Sequence, residues 1–362
     1  MTELLIQENQ EKKQIALVEN GKLIEYYEED NETNRREGNI YIGIVKDIIK
    51  GMQAAFVDIG TEKNSFIHLK DILPKIDETK ETQDENIKIS DIIKPNQKLL
   101  VQIKKDSNQK KGARVSTHIN LPSKYIVLMP NTEIITVSQK IESEEEQKRL
   151  VKLVKENLEQ GNGAIIRTSA QGKEKEIIED IKNIQNKWNK IIETGINPNQ
   201  NNPKLLYKSE DIIDKMLMDM TDKEISIKRG KDIFNTYGIN KQIEKIQNRK
   251  IWLKCGGFIT IDKTEALTAI DINSGKFTGK KNSSKENTIY KVNQEATVEI
   301  AKQLRLRNIS GIIVIDYIDM EEEKDRKNIM NLLEKELKKD RSKTQIMGFT
   351  KLDLLEMTRK KL

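Results

Sequence analysis

The chain has 362 residues, 36% of them hydrophobic and 34% charged, with 64 Lys and Arg against 58 Asp and Glu for a net charge of +6. That length spans two or three folding units at roughly 150 residues per domain, and the mild positive charge suits a polyanionic partner without demanding one. A single cysteine, Cys255, excludes an internal disulfide framework and a zinc site built from several cysteines of this chain, and points to a reducing compartment. The two histidines, His68 and His118, leave little for a Ser-His-Asp or Cys-His nucleophile, so a catalytic metal has to be held by oxygen ligands. Apolar runs such as Ile312 to Ile315 fall far short of the roughly 20 residues that cross a bilayer. The opening MTELLIQENQEKKQ lacks a basic-then-apolar export pattern, so a cytoplasmic protein is expected.

Residues 1 to 29 are expected as short strands, with Asn20-Gly21 as the hairpin turn in IALVENGKLIEYYEE. From Gly38 five strands follow closely, in NIYIGIVKDIIK, QAAFVDIG, SFIHL, KLLVQIKKD and GARVSTH, a pattern that suggests a small barrel. The polar KIDETKETQDENIKISD between the third and fourth is read as a solvated loop. In a chain only 4% aromatic, Tyr41, Phe56, Phe66 and His68 gather here beside KKDSNQKKGAR, with Lys104, Lys105, Lys110, Lys111 and Arg114. Rings stack on unpaired bases while cations follow phosphates, so this suits single-stranded nucleic acid. Taken singly, Phe56 and Phe66 would be core side chains.

Residues 119 to 195 mix strands and helices. Ser143 and Glu146 stand at capping-box spacing before a stripe of Leu150, Leu153, Val154 and Leu158. Ile177, Ile181, Ile184, Trp188 and Ile191 share one face of a second helix. Between them, Arg167-Thr168 follows Ile165-Ile166 at a strand end, offering a guanidinium fork and a hydroxyl to phosphate, although a structural arginine is the plainer reading. GINPNQNNPK, 195–204, reads as a linker or exposed turn, and 205–250 as mostly helical.

The last third alternates strands with long helices: GFITID and ALTAIDI as a hairpin, a helix over 284–307, the strand GIIVID, a helix over 320–338 and the strand TQIMGF. This is an α/β layer with a partly parallel sheet. Alternation puts Asp271 and Asn273 on one face at the end of an apolar strand, and Asp316 takes the same place after Ile312 to Ile315. If the strands are neighbours the carboxylates converge. Two such anions about 4 Å apart repel by roughly 4 kcal/mol at an effective dielectric near 20, so they need a shared proton or a cation. Magnesium suits the place, because it takes one or two carboxylates and keeps positions for water and a phosphate oxygen. A strand-terminal Asp also commonly starts a loop or caps a helix, and Asp319 with Glu322 has the spacing of such a cap. GKFTGKK, 275–281, has three residues between its glycines where a Walker A loop has four, so nucleoside triphosphate binding is set aside and Lys276, Lys280 and Lys281 become candidate backbone-phosphate contacts.

In chain order, GNIYIGIVKDIIKGMQAAFVDIG, NQKKGARVSTHINLPSKYIVLMP, IESEEEQKRL, IIRTSA, EALTAIDINSGKFTGKK, AKQLRLRNISGIIVIDYIDMEEE and DRSKTQIMGFTKLDLLEMTRKK resemble the catalytic region of the bacterial ribonuclease E/G family. The resemblance implies a multidomain α/β chain. Its parts would be a first ribonuclease H-like segment (1–37), an S-one-type OB-fold RNA-binding barrel (38–118), a 5′-phosphate sensor region (119–204), a second, shortened ribonuclease H-like segment (205–248) and a deoxyribonuclease I-like catalytic part (249–362). It also implies a magnesium-dependent endoribonuclease cutting single-stranded RNA to 5′-phosphate and 3′-hydroxyl ends, in ribosomal RNA processing or messenger RNA decay, with partners from an RNA-degradation complex. Asp271 and Asp316 would be its metal ligands and Asn273 their catalytic companion. Phe56, Phe66 and Lys111 would contact RNA, and Arg167 and Thr168 would form the 5′-phosphate pocket. Family members usually continue to a cysteine pair that shares zinc between protomers and then to a small oligomerisation domain. This sequence stops at EMTRKKL, so no zinc is expected and any oligomer would not be zinc-linked. The competing readings are a non-catalytic RNA-binding scaffold or chaperone using the barrel, and an enzyme for a small phosphorylated metabolite.

Overall fold

A computed structural model describes residues 1–30, 35–72, 87–107, 111–195, 202–220, 224–275 and 285–360. The chain forms two compact units, Asn34–Asp222, and Met1–Thr33 together with Lys223–Leu362.

In the first of these, the strands Ile40–Ile49, Ala54–Asp58, Ser65–His68, Lys98–Lys105 and Arg114–Ser116 close into a five-stranded barrel, because Ile40–Ile49 pairs with Lys98–Lys105 as well as with Ala54–Asp58. Inward-facing Val45, Val57, Ile67, Val101, Ile103 and Val115 fill it. This is the barrel expected from the strand spacing. Of the tract read as a solvated loop, residues up to 86 lie outside the described residues, while Ile89–Ile92 form a short helix that buries Ile89. A second sheet of Leu121–Pro122, Ile126–Pro130, Ile135–Val137 and Asn162–Ile166 packs with the helices Glu144–Asn157 and Lys175–Gly195 around Leu128, Leu150, Ile166, Ile181 and Trp188. The capping box is half formed: Ser143 accepts from the Glu146 amide, but the Glu146 carboxylate turns to Arg149 and to the Gly172 amide at 2.8 Å.

In the other unit, Lys12–Glu19 and Lys22–Asp30 form the expected hairpin, with φ of 50° at Asn20 and 75° at Gly21, the left-handed pair such tight turns use. Thr2–Glu8 pairs antiparallel with Lys12–Glu19 and, on its other side, parallel with Ile225–Arg229. Residues 205–250 are therefore not mostly helical. That stretch belongs to both units: the short helix Ile212–Asp219 lies in the first and Ile233–Thr236 and Asn240–Ile246 in the second, alternating with strands whose partners lie far away in the sequence, which a local pattern does not register.

The last third builds a six-stranded sheet in the order Lys250–Trp252, Phe258–Lys263, Leu267–Asn273, Gly311–Asp316, Leu354–Arg359, Thr344–Phe349. Leu267–Asn273 and Gly311–Asp316 run parallel, joined through the helix Lys285–Leu306. That helix and Glu323–Leu337 cover one face of the sheet, where Ile270, Ile272, Ile313, Ile315 and Met357 meet Val292, Ala296, Ile300 and Leu333. Asp319 does not cap the second helix, which starts at Glu323 with Glu322 as N-cap and no side-chain cap bond. The last strand is anchored by a fully buried Arg359, whose guanidinium meets Asp340 at 2.7 Å and the Ile309 carbonyl at 2.8 Å. Among the described residues no helix is long and apolar enough to cross a membrane.

Candidate active site

Alternation along Leu267–Asn273 sends Thr268, Ile270 and Ile272 into the core and turns Ala269, Asp271 and Asn273 to the opposite face, which neither helix covers. Gly311–Asp316 repeats this, with Ile313 and Ile315 inward and Asp316 outward. In the parallel ladder Ile270 faces Ile315 and Asp271 faces Asp316. Neighbouring strands lie about 4.8 Å apart, so the carboxylates stand side by side where the strands end. The Asn273 amide donates to Asp271 Oδ2 at 2.5 Å and orients that carboxylate. Partial burial and the negative charges of Asp271 and Asp319 push the Asp316 carboxyl above its usual range. The nearby Arg249 is engaged by Asp262, at 2.5 and 2.6 Å, which holds that carboxyl below its usual range.

Among the described residues no group of three or more His, Cys, Asp or Glu could hold a metal. Among the described residues the donors shown at this sheet end are the Asp271 and Asp316 carboxylates and the Asn273 amide, with the Asp319 charge close enough to act on Asp316. A hard cation that keeps several waters fits that set, and a softer metal wanting nitrogen or sulfur does not.

Two residues of the crossover helix hold the surrounding loops, and the pattern of the sequence did not single them out. Asn293, fully buried, donates to the Ile318 carbonyl at 2.8 Å and accepts from the Ile318 amide at 3.2 Å, fixing the chain just beyond Asp316. Glu295 accepts from the Lys254 and Cys255 amides and fixes the turn that leads into Phe258–Lys263. That turn has to be glycine. A Cβ on Gly257 would stand 2.9 Å from the Asn273 carbonyl oxygen, and one on Gly275, at φ 59°, would stand 2.5 Å from the Gly256 oxygen. The Gly256-Gly257 pair was the available signal.

On the barrel, Phe56 and Phe66 are cross-strand partners with ring centroids 6.3 Å apart, edge to face. They point outward, since Ala55, Val57 and Ile67 fill the interior. Arg114 lies in register with Phe66 and is held by Asp71 through two bonds of 3.0 Å. Lys111 is exposed on the approach to that strand, followed by a Gly112 whose Cβ would collide with the Asn64 carbonyl. Lys110, Lys276, Lys280 and Lys281 lie outside the described residues.

Arg167 and Thr168 sit together at the end of Asn162–Ile166. Arg167 donates to the Ser123 carbonyl at 2.8 Å and pairs with Asp219, while the Thr168 and Ser138 hydroxyls are 3.0 Å apart. Asp219 had no signal in the sequence, because it is one acid among many on a short helix.

The ribonuclease E/G family model matches residues 120–227 and 224–362. Ribonuclease G of Escherichia coli (strain K12) is 38% identical over 393 residues, covering 99% of this chain and 80% of that protein, and ribonuclease G of Salmonella typhimurium (strain SL1344) gives the same values. Ribonuclease E of Nostoc sp. (strain PCC 7120) is 35% identical over 392 residues, covering 96% of this chain and 56% of that protein.

Proposed function

The chain belongs to the ribonuclease E/G family, and on that premise we propose a magnesium-dependent endoribonuclease that hydrolyses single-stranded RNA in the cytoplasm, leaving 5′-phosphate and 3′-hydroxyl ends. The observation that carries the reading is the pairing of Asp271 with Asp316 in one rung of the sheet, with Asn273 beside them. In this reading the six-stranded sheet with its two helices is the deoxyribonuclease I-like catalytic part. The N-terminal strands with 205–248 make the ribonuclease H-like part, and the barrel is an OB-fold that takes RNA.

Asp271 and Asp316 would hold the magnesium ion, which when bound supplies charge neutralisation and Lewis acidity at the phosphodiester. Asn273 donates to the Asp271 carboxylate and would hold its orientation beside such an ion. Water attacks phosphorus in line and the bond to the 3′-oxygen breaks, so the phosphate stays on the 5′ end of the downstream product. Nothing in that step uses a 2′-hydroxyl. Preference for unpaired RNA then comes from binding, through stacking on the outward Phe56 and Phe66 with Lys111 on the backbone. Arg167 and Thr168 recognise a 5′-monophosphate. Ribosomal RNA precursors and messenger RNA are the substrates that fit this specificity, and RNA-degradation proteins are the matching partners.

Cleavage of a 5′-labelled single-stranded RNA with magnesium, and with Asp271→Asn in parallel, tests the reading. Cutting by the wild type and its loss in the variant are expected. A wild type that binds RNA and never cuts it would instead make the protein an RNA-binding scaffold.

A further inference from the structure

Two aromatic rings and a lysine share the open face of the six-stranded sheet with the aspartate pair. The ladder sets Lys250 opposite Thr260 and Trp252 opposite Phe258, then Thr260 opposite Asp271 and Phe258 opposite Asn273. Residues directly opposite in an antiparallel pair project to the same face. Trp252, Phe258 and Asn273 therefore form one row across the sheet, and Lys250, Thr260, Asp271 and Asp316 form the next. At about 4.8 Å per strand, the Trp252 backbone lies about 10 Å from that of Asn273, with Phe258 midway.

The side chains in this row are arranged as a surface. Trp252 is 58% exposed, and among the described residues only it and Phe56 are exposed aromatic side chains. Its ring centroid is 5.3 Å from that of Phe258 at an angle of 62°. Lys250 Nζ lies 4.1 Å from the Trp252 centroid and 3.5 Å from the Phe258 centroid, so one cation is held against both rings. The core-facing side chains of this strand and the next are Ile251, Ile259 and Ile261, on the other face, so the open part of the indole lies outside the core. A ring with one free face and an adjacent cation is the combination that stacks on a base while neutralising the phosphate beside it.

We propose that Trp252, backed by Phe258 and assisted by Lys250, is a nucleobase-stacking platform of the active site. It receives the unpaired base of a nucleotide within about two positions of the scissile phosphate and fixes the strand over Asp271 and Asp316. The inference rests on the reading of that pair as an RNA-cleaving site and adds a substrate contact on the catalytic sheet, separate from the barrel.

The chain has two tryptophans, and Trp188 is buried, so Trp252 is the fluorophore a bound base can reach. The unaltered protein, free of divalent metal, is titrated with single-stranded oligoadenylate about ten nucleotides long. Saturable quenching of the exposed tryptophan is expected. In cleavage assays Trp252→Ala should raise KM by about five- to a hundredfold with kcat nearly unchanged, and Trp252→Phe should recover most of the loss. An oligomer with an abasic nucleotide next to the cut should erase the difference between wild type and Trp252→Ala. Lys250→Gln should lower the salt dependence of binding by about one ion. Absence of quenching in protein that binds and cuts RNA, or unchanged KM in Trp252→Ala, overturns the proposal and leaves the cleavage site standing. A self-association that Trp252→Ala breaks, with KM unaltered, overturns it in favour of a contact between copies. Failure of the wild type to cut RNA at all is a failure of the underlying reading.

Discussion

Asp271 and Asp316 occupy the same rung of a parallel ladder although 45 positions separate them in the sequence. Their backbones place the two carboxylates side by side whether or not a counterion is there, and that arrangement is costly. Asp271→Asn and Asp316→Asn are each expected to lower cleavage by more than about a hundredfold, beyond the 10- to 100-fold typical for groups that only support a metal ligand. Initial rates on a labelled single strand measure this, and an unimpaired variant removes the pair from the chemistry.

The same crowding makes a prediction about acid and stability. The Asp316 carboxyl is pushed up by burial and by Asp271 and Asp319, so the folded protein holds this proton more tightly than the unfolded chain does. A raised carboxyl contributes stability below its unfolded value, and that stability is lost as pH rises through the folded value. Metal-free wild type should therefore lose melting temperature over that interval relative to Asp316→Asn, and magnesium should restore it. Parallel melting curves of the two proteins across mildly acidic pH provide the comparison. If the difference between them ignores pH, Asp316 is not under this strain.

Asn293 and Glu295 bond to the backbone of loops, so their replacement should act through geometry. Asn293→Ala leaves the Ile318 amide and carbonyl without their partner, at a cost of about 1–3 kcal/mol. Glu295→Gln has one carbonyl oxygen to offer two amides. Both variants should fold and bind RNA with near-normal KM while kcat falls several-fold. A stability loss with untouched kcat would leave them a purely structural role.

Arg167 is already paired with Asp219, so in the proposed sensing role a 5′-phosphate would have to compete for the guanidinium. Asp219→Asn should strengthen the preference for 5′-monophosphate over 5′-hydroxyl RNA, and Arg167→Lys should shrink it, because an ammonium does not reproduce the two-pronged contact. Matched oligomers differing only at that end give the ratio at subsaturating substrate. Equal rates for the two oligomers in wild type would take Arg167 and Thr168 out of the recognition.

Much of the framework was readable because its signals are local. The Asn20-Gly21 turn, the five closely spaced barrel strands and the alternation that brings Asp271, Asn273 and Asp316 to strand ends all depend on neighbours within a few positions. What escaped depends on distant partners. Ile225–Arg229 is a strand because Thr2–Glu8 lies beside it, and Lys250–Trp252 and Leu354–Arg359 are strands because the sheet extends to them. Asn293 reads as a surface polar residue until the loop beyond Asp316 is laid against it. Asp319 has the right spacing for a cap and is not one, since the chain delays its first helical turn to Glu323.

The pairing of Thr2 with Ile225 also orders events during translation. The first strand emerges from the ribosome more than two hundred residues before the segment that completes its sheet, whereas every barrel strand finds its neighbours within one unit of intervening chain. Contacts that close large loops form late, so the inserted unit gains its structure first and the amino-terminal hairpin waits with an open edge. Newly made chains stalled between the two partners should accordingly be the ones most in need of a chaperone.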